Sequence, residues 1–278
     1  MQFEVCTAEN IKLEEMHNAM CDAFSDYDIP LQPSFAQFCD MLKLRQFCPK
    51  LSTLIIAESA VQSFWLIGRK GDRGHLAMSG TRPNARGKGF AKLLAEKTEG
   101  LLKYAGVVSI EFEVLTTNHK AISLYEKTGH KKVRLLDCFE FSSPQSTALK
   151  GISIRSTSFE SITNDVSAFK EFSPSWQASN TAILAAGEKA LCYIAQHEDK
   201  IVGFLVSNAK GSILQLAVDD EFRRQGIATL LLANFAKEQK IEKFSYVNVD
   251  NRDLATKALL QKFEGKQFAQ QIELAKQL

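Results

Sequence analysis

One short motif occurs twice in this chain, and the duplication constrains the fold more than any other feature. The first copy spans residues 86–94 (RGKGFAKLL) and the second spans residues 223–231 (RRQGIATLL), 137 positions later. The arginine, the second glycine and the alanine of the first copy recur in register in the second. A second landmark, Asn118 and Asn251, repeats at an offset of 133 residues. Self-similarity at a fixed offset marks repeated structural modules, so the sequence predicts two copies of one fold.

The length and the linker signal agree with two domains. A chain of 278 residues is long for one small domain and comfortable for two. The polar stretch 143–149 (SPQSTAL) lies between the two copies and is typical of a linker. We therefore expect a first domain over residues 1–142 and a second over residues 150–278.

Composition excludes several classes of protein. A net charge of +2 is too small to indicate nucleic acid as a partner, and no basic run is interleaved with aromatic residues, although the pI is near 8.1. The sequence has no run of eighteen apolar residues, which a membrane-spanning helix would need, and its N-terminal residues show no secretory signal. The six cysteines are scattered without metal-ligand spacing. We expect free thiols, no metal, no membrane association and a cytoplasmic location.

Hydrophobic periodicity predicts the same order of elements in each copy. In the first copy it predicts helices over 11–24 and 34–47, strands over 54–57, 63–68 and 75–80, a helix after residue 89, a strand over 107–115, a short helix after residue 118 and a strand within 132–141. In the second copy it predicts strands over 191–196, 201–207, 213–218 and 244–249, and a helix after residue 226. Strands interleaved with helices predict an α/β fold with a mixed sheet in each copy.

The repeated motif has the properties of an anion-binding loop. It connects a predicted strand to the N-terminus of a helix, where unpaired backbone N–H groups and the helix dipole favour negative charge. Glycines let a ligand approach the backbone, and Arg82, Arg86 and Lys88 add positive charge. The alternative is a solvated turn with incidental basic residues, which the duplication disfavours. The third glycine of a dinucleotide fingerprint and the GxxxxGK[ST] pattern are both absent from the sequence.

Both loops resemble the (Arg/Gln)-x-x-Gly-x-(Gly/Ala) signature of the GNAT superfamily of N-acetyltransferases. Residues 118–129 (NHKAISLYEKTG) are similar to the C-terminal motif of that family, and residues 202–204 (VGF) resemble its third-strand signature, with Phe64 as the first-copy equivalent. The resemblance implies two tandem GNAT-type acyl-CoA N-acyltransferase folds. Each would have a mixed, splayed central sheet flanked by helices.

The resemblance also implies a site for acetyl-CoA as cosubstrate, without a metal. The loop amides would hold the pyrophosphate, and the preceding strand and an asparagine would contact the pantetheine arm. In the first copy these residues are Met78, Ser79, Gly80, Thr81, Arg86, Gly87, Lys88, Gly89, Phe90, Ala91 and Asn118. A candidate second CoA site in the second copy comprises Leu216, Ala217, Val218, Arg223, Arg224, Gln225, Gly226, Ile227 and Ala228.

Two residues of the first copy are candidates for the proton transfers of amine acetylation, which requires a base for the ammonium and an acid for the thiolate. Tyr125 follows Asn118 by seven residues, where the resemblance implies the general acid; a core tyrosine is the alternative. Glu113 precedes Tyr125 by twelve residues, a spacing similar to the base and acid pair of N-terminal protein acetyltransferases. The alternative for Glu113 is a carboxylate on a solvated sheet face, and His75, Glu111 or a water chain are the other candidates for the base.

The second copy departs from this pattern. Counting from Asn251 places Ala258 or Leu259 at the acid position, and the offset of 133 places Tyr246 at the position of Glu113. We therefore expect the first copy to be catalytic and the second to be degenerate at the acid position. Tyr246 leaves the reverse assignment open.

The expected function is an N-acetyltransferase that moves the acetyl group of acetyl-CoA to a primary amine by direct attack in a ternary complex. The acceptor would be a small molecule or a peptide, and the protein a monomer or homodimer. The alternatives are a non-enzymatic acyl-CoA-binding regulator and a nucleic-acid-binding module. Asp26 and Asp28 are candidates to attract the cationic amine, with helix capping as the alternative, and Trp176 either borders a groove or packs near a helix cap.

Overall fold

The computed structural model describes residues 2–26, 31–169 and 171–278. It contains two compact units, of which one comprises Met1–Val133 with Glu273–Leu278 and the other Arg134–Ile272. The units follow strand pairing and therefore differ from the limits expected from the repeat: residues 134–142 belong to the second unit and the last six residues to the first. The proposed domains over residues 1–142 and 150–278 stay a prediction about the repeated sequence.

The first unit is an α/β fold with a mixed sheet. Its helices are α1 (Leu13–Ala23), α2 (Phe35–Leu44), α3 (Phe90–Tyr104) and α4 (His119–Lys127). Its sheet has the order β1 (Glu4–Thr7), β2 (Thr53–Ala57), β3 (Ala60–Lys70), β4 (Arg73–Thr81) and β5 (Ser109–Leu115), followed by residues 273–277 of the last strand, β12 (Lys266–Gln277). Consecutive strands from β1 to β4 pair antiparallel, whereas β4 and β5 are parallel.

The parallel strands β4 and β5 separate soon after they meet. They pair at Arg73, Gly74 and His75 of β4, and the described pairing ends where His75 faces Glu111. A register shift against β3 then leaves Ala77 as a β-bulge. A bulge bends its strand and ends regular pairing. The two strands therefore diverge beyond His75, as the resemblance implies for a splayed sheet.

The second unit repeats this arrangement. Its helices are α5 (Asn180–Ala186), α6 (Ile227–Gln239) and α7 (Leu254–Lys262). Its sheet has the order β7 (Ile152–Thr157), β8 (Leu191–His197), β9 (Lys200–Ser207), β10 (Ser212–Val218), β11 (Lys243–Asp250), residues 134–142 of β6 (Lys131–Ser142) and residues 266–272 of β12. The parallel pairing of β10 with β11 is confined to residues 212–213 and 245–246, and Leu214 is bulged. Ala77 and Leu214 are 137 residues apart, so the bulge obeys the same offset as the loop.

The periodic helices and strands predicted from the sequence are confirmed, with end shifts of a few residues. The sequence patterns did not predict β1, β7, α5, α7 or β12, which are short, edge-located or mixed in polarity. Apolar residues of α1, α2 and β3 form one buried cluster in the first unit, and α6 packs on the sheet of the second. The six cysteines are free thiols, as expected. Among the described residues, the helices are too short or too polar to cross a membrane.

Candidate functional site

The glycine loops of the two units have the same backbone conformation. Gly87 and Gly89 have φ angles of 76° and 77°, and Arg224 and Gly226 have φ angles of 63° and 89°. No side chain caps the N-terminus of α3 or α6, so their first amide groups remain available to a ligand. A Cβ at Gly89 would meet no atom within 4 Å, which shows open space in front of the loop. Each loop therefore has the backbone geometry of an anion-binding cradle, and its expected contact with CoA stays a prediction.

The arginine of the first loop is held by the protein itself. The Arg86 guanidinium donates to both carboxylate oxygens of Asp26, at 2.6 and 2.8 Å, and to the backbone oxygens of Ala23 and Thr81, at 3.0 and 3.2 Å. The hydrogen bond from Arg86 also holds the pKa of Asp26 below its ordinary value. This side chain joins the end of β4 to the end of α1, and its expected contact with CoA stays a prediction.

Arg223 makes the equivalent contacts in the second unit. Its guanidinium donates to the backbone oxygens of Val218 and Phe169, at 3.3 and 3.4 Å, and pairs with Asp220 at 2.6 Å. Thr81 and Val218 stand at the same repeat position. In both units the motif arginine thus fastens the loop, and no side chain caps the helix that follows it.

The other predicted CoA residues of the first unit line the end of β4 and the start of α3. Gly80 is required by packing, because a Cβ there would lie 2.5 Å from the ring of Phe64. Met78 and Phe90 are buried, whereas Ser79, Thr81 and Ala91 are half-buried and Lys88 is exposed. The strand end beyond the bulge is therefore partly open, as a backbone-pairing ligand requires.

Asn118 caps a helix. Its side-chain oxygen accepts a hydrogen bond from the Ala121 amide at 3.1 Å, at the N-terminus of α4. The expected contact with the pantetheine arm stays a prediction beside this structural role.

Tyr125 projects from α4 to the open edge of β4. Its hydroxyl lies 3.0 Å from the Ser79 hydroxyl, two residues beyond the bulge. Its ring is 6% exposed and packs edge-on against Phe112, with centroids 4.4 Å apart, and against Trp65. The hydroxyl is thus held in a fixed position at β4, the strand that the resemblance assigns to the pantetheine arm.

Glu113 lies in a buried group of ionisable side chains. Its side chain is 9% exposed, and its Oε2 is 3.8 Å from Nε2 of the buried His75. Burial first, and the nearby Glu273 second, raise the pKa of Glu113 to about 7, although Arg45 opposes the shift. A carboxyl group with this pKa exchanges its proton near neutral pH, which suits a general base.

The two alternative bases are differently placed. Burial and the charge of Arg45 hold the pKa of His75 well below its ordinary value, and the ring hydrogen-bonds the backbone of Glu111. The Glu111 carboxylate pairs with Arg73. Of these three residues, Glu113 combines burial with a pKa near neutrality.

The structure changes which residue of the second unit is equivalent to Tyr125. Helix α7 begins after Asp253, whose side chain accepts from the Thr256 amide as Asn118 accepts in α4, so Asn251 is not the cap. At the ends of the two helices the His130 amide bonds the Tyr125 oxygen and the Gly265 amide bonds the Leu260 oxygen. The acid position is therefore Leu260. The expectation of Ala258 or Leu259 was wrong, because the cap equivalent to Asn118 is Asp253, two residues after the Asn251 landmark.

Strand register also corrects the counterpart of Glu113. His75 faces Glu111 in the first unit, and its repeat equivalent, Ser212, faces Ser245 in the second. Counting from these pairs aligns Phe112 with Tyr246 and Glu113 with Val247. Tyr246 is thus the equivalent of the aromatic residue that packs on Tyr125.

The second unit contains a cavity of about 800 Å³ at its strand opening. Its wall includes every residue of the candidate second CoA site except Gln225, whose side chain bonds the Glu221 backbone. Tyr246, Asn248 and Ser175 also line it. A cavity of about 380 Å³ in the first unit contains none of the predicted site residues.

The structure describes some of the residues that were candidates to bind the amine acceptor. Asp26 is paired with Arg86, and Asp28 lies outside the described residues. Trp176 is buried, three residues before Ser179, which caps α5.

Comparison with known proteins agrees with the duplicated fold. The Acetyltransferase (GNAT) family profile matches residues 19–130 and 159–265. A tandem GNAT protein from the clavulanic acid biosynthesis pathway is 12% identical with a TM-score of 0.74, and the match covers 99% of this chain and 98% of that one. A GCN5-related N-acetyltransferase from Sphaerobacter thermophilus is 16% identical with a TM-score of 0.75, covering 99% and 95%.

A putative acetyltransferase from Pyrococcus horikoshii is 14% identical with a TM-score of 0.72, covering 99% of this chain and 89% of that one. At these identities the similarity concerns the fold. No curated protein matches the sequence significantly. The two profile matches fall on the two copies of the loop and together span most of the sequence. The chain belongs to the GNAT family of acetyltransferases, with one family domain in each half.

Proposed function

We propose that this protein transfers the acetyl group of acetyl-CoA to a primary amine, with the chemistry in the first unit. The observation that carries the proposal is the pairing of two suitable groups in one unit: Glu113, with a pKa of about 7, and Tyr125, with its hydroxyl held at the β4 edge. The acceptor is a small molecule or a peptide, and the protein acts as a monomer or homodimer.

The proposed reaction takes place in a ternary complex. Glu113 removes a proton from the bound ammonium, directly or through water, and the amine nitrogen attacks the thioester carbonyl carbon. The carbon–sulfur bond then breaks, and the thiolate takes a proton from the Tyr125 hydroxyl. The attacking nitrogen gives up its surplus proton, which returns to the Tyr125 oxygen directly or through water, and solvent takes the proton held by Glu113. Backbone amides of residues 86–91 bind the pyrophosphate throughout.

The pH dependence of kcat/KM tests this assignment, measured by CoA release with acetyl-CoA and a panel of primary amines. For the wild type we expect an acidic limb with an apparent pKa of about 7, because Glu113 must be ionised to act. Glu113→Gln should remove that limb and lower kcat/KM at pH 8 by roughly 100-fold or more.

Glu111→Gln is the matched control, since Glu111 lies on the same strand and pairs with Arg73. It should keep the limb. An unchanged limb in Glu113→Gln would assign the base to another residue or to a water chain. Binding of acetyl-CoA without turnover of any amine would instead support the alternative of a non-enzymatic regulator.

A further inference from the structure

The second unit has a tyrosine hydroxyl at its strand opening, but on a different element from the first unit. In the first unit the strand residue Phe112 packs on the helix residue Tyr125, whose hydroxyl contacts Ser79 of β4. In the second unit the aligned pair is Tyr246 on the strand and Leu260 on the helix, and both belong to one apolar cluster. In the second unit the strand residue therefore carries the hydroxyl, and the helix residue is the apolar one.

The exchanged hydroxyl reaches the equivalent strand position. The Tyr246 hydroxyl hydrogen-bonds the backbone of Leu216, which is the repeat equivalent of Ser79. Leu216 and Tyr246 both line the cavity of about 800 Å³. The second unit therefore presents a hydroxyl at the point where a thioester would lie, although its helix lacks the tyrosine.

The inner wall of the same cavity carries two buried polar groups without a protein partner. The Asn248 side chain is 8% exposed and its Nδ2 makes no hydrogen bond, while its Oδ1 accepts from Gln271 at 3.0 Å. The Ser175 side chain is 2% exposed and its Oγ makes no hydrogen bond. A buried polar group without a hydrogen-bond partner destabilises the folded state, so these two groups point to a ligand that supplies the missing hydrogen bonds.

One charged side chain in this wall, that of Asp250, is already paired. Asp250 accepts from Arg134 at 3.2 Å and from Arg252 at 2.8 Å, and these hydrogen bonds hold its pKa at about 2. The two groups without a partner, the Asn248 amide nitrogen and the Ser175 hydroxyl, are neutral, and Asn248 Nδ2 is a donor only. The best complement is an uncharged oxygen that accepts hydrogen bonds. Asn248 follows Tyr246 by two residues on β11, and both residues line this cavity, so one bound acyl group can contact both side chains.

We propose that the second unit binds an acyl-CoA of its own, whose acyl group carries a neutral hydrogen-bond-accepting oxygen received by Asn248 and Ser175. Tyr246 supplies the hydroxyl at the thioester end. The site uses the loop of residues 223–228 and is independent of the catalysis proposed for the first unit.

Two acyl-CoA probes test the proposal by calorimetry on the full chain. Acetoacetyl-CoA and butyryl-CoA have chains of equal length and differ by the oxygen on the third acyl carbon. Gly89→Glu blocks the first loop, so the remaining binding reports the second unit. We expect acetoacetyl-CoA to bind about 3- to 10-fold more tightly, the effect of a hydrogen bond to a buried group. In the Gly89→Glu, Gly226→Glu double variant binding should disappear.

Ser175→Ala is the decisive variant. A purely structural role predicts unchanged affinity and equal or higher thermal stability, because the lost hydroxyl has no partner. The proposal predicts the same stability effect with loss of the preference for acetoacetyl-CoA. Asn248→Asp keeps the acceptor for Gln271 and removes the donor, so it should also abolish the preference.

The tyrosine exchange has its own test in the same background. Tyr246→Phe should weaken the binding of both probes, and Tyr246→Phe with Leu260→Tyr, which rebuilds the arrangement of the first unit, should restore it. Should Gly89→Glu fail to fold, the same comparison is made on the wild type, with Gly226→Glu to identify the second binding event. Equal affinity for the two probes, or no binding event that Gly226→Glu removes, would overturn the proposal. These readouts require no turnover, so they are independent of the outcome at Glu113 and Tyr125.

Discussion

The first and second units have the same loop backbone but different side chains at the positions of the proposed acid and base. Both have a strand bulge, two left-handed residues before a helix and an arginine that fastens the loop. They differ where protons would move, since Leu260 and Val247 stand where the first unit has Tyr125 and Glu113. The cradle is made by the backbone and is part of the fold, whereas an acid or a base can be lost without loss of folding. A duplicated domain can therefore keep ligand binding after its chemistry has gone.

The largest difference between the units should follow from blocking each loop. Gly89→Glu places a bulky anion where the pyrophosphate is proposed to bind and should abolish turnover. Gly226→Glu makes the same change at a residue with similar backbone geometry and should leave turnover within a few-fold. Steady-state rates of CoA release measure both, and circular dichroism checks that both variants fold. An inactive Gly226→Glu variant together with an active Gly89→Glu variant would contradict the assignment of catalysis to the first unit.

A smaller effect concerns the stability of the first unit. The pKa of Glu113 is raised from 4.5 to about 7, so the folded state favours the protonated carboxyl group. The resulting stabilisation is present below about pH 4.5 and is lost as the pH rises through about 7. Glu113→Gln removes this dependence and should gain up to about 3 kcal/mol over the wild type between pH 4.5 and 8.

Thermal unfolding at the two pH values measures this gain. Val247 stands at the equivalent position of the second unit, and Val247→Gln is the control that should show no such pH dependence. A wild type and a Glu113→Gln variant with parallel pH profiles would show that Glu113 is not shifted.

The smallest effects concern the caps, where the two units should behave alike. Asn118 and Asp253 each accept a hydrogen bond at the start of their helices, from Ala121 and Thr256 respectively. Asn118→Ala and Asp253→Ala should each cost about 1 kcal/mol in the free energy of unfolding. If Asn118 also contacts the pantetheine arm, its replacement should raise KM for acetyl-CoA and that of Asp253 should not. Equal KM values for acetyl-CoA in the two variants would show that Asn118 acts only as a helix cap.

The sequence predicted the elements that position the site, for reasons that are local. The loop needs residues that tolerate positive φ, the helix after it needs an apolar stripe, and both are visible in the 86–94 and 223–231 motifs. The strands of each core likewise follow from apolar runs.

The finer comparison of the units could not be made from sequence. The connections from β5 to α4 and from β11 to α7 both contain three residues, but β11 has a register shift between Tyr246 and Val249, so counting from Asn251 missed Leu260. The buried environment of Glu113 depends on Glu273, which lies 160 residues further along the chain and joins the first unit through strand pairing. Likewise, the pairing of Arg86 with Asp26 connects residues 60 positions apart. Such long-range contacts leave no periodic pattern.

The most direct test of catalysis in the first unit compares its tyrosine with that of the second unit. Tyr125→Phe and Tyr246→Phe each remove one hydroxyl at equivalent strand edges. We expect Tyr125→Phe to lower kcat by roughly 10- to 1000-fold with little change in KM for acetyl-CoA, and Tyr246→Phe to alter kcat less than about twofold. An unaltered kcat in Tyr125→Phe, or a large loss in Tyr246→Phe, would contradict the assignment of the catalytic half.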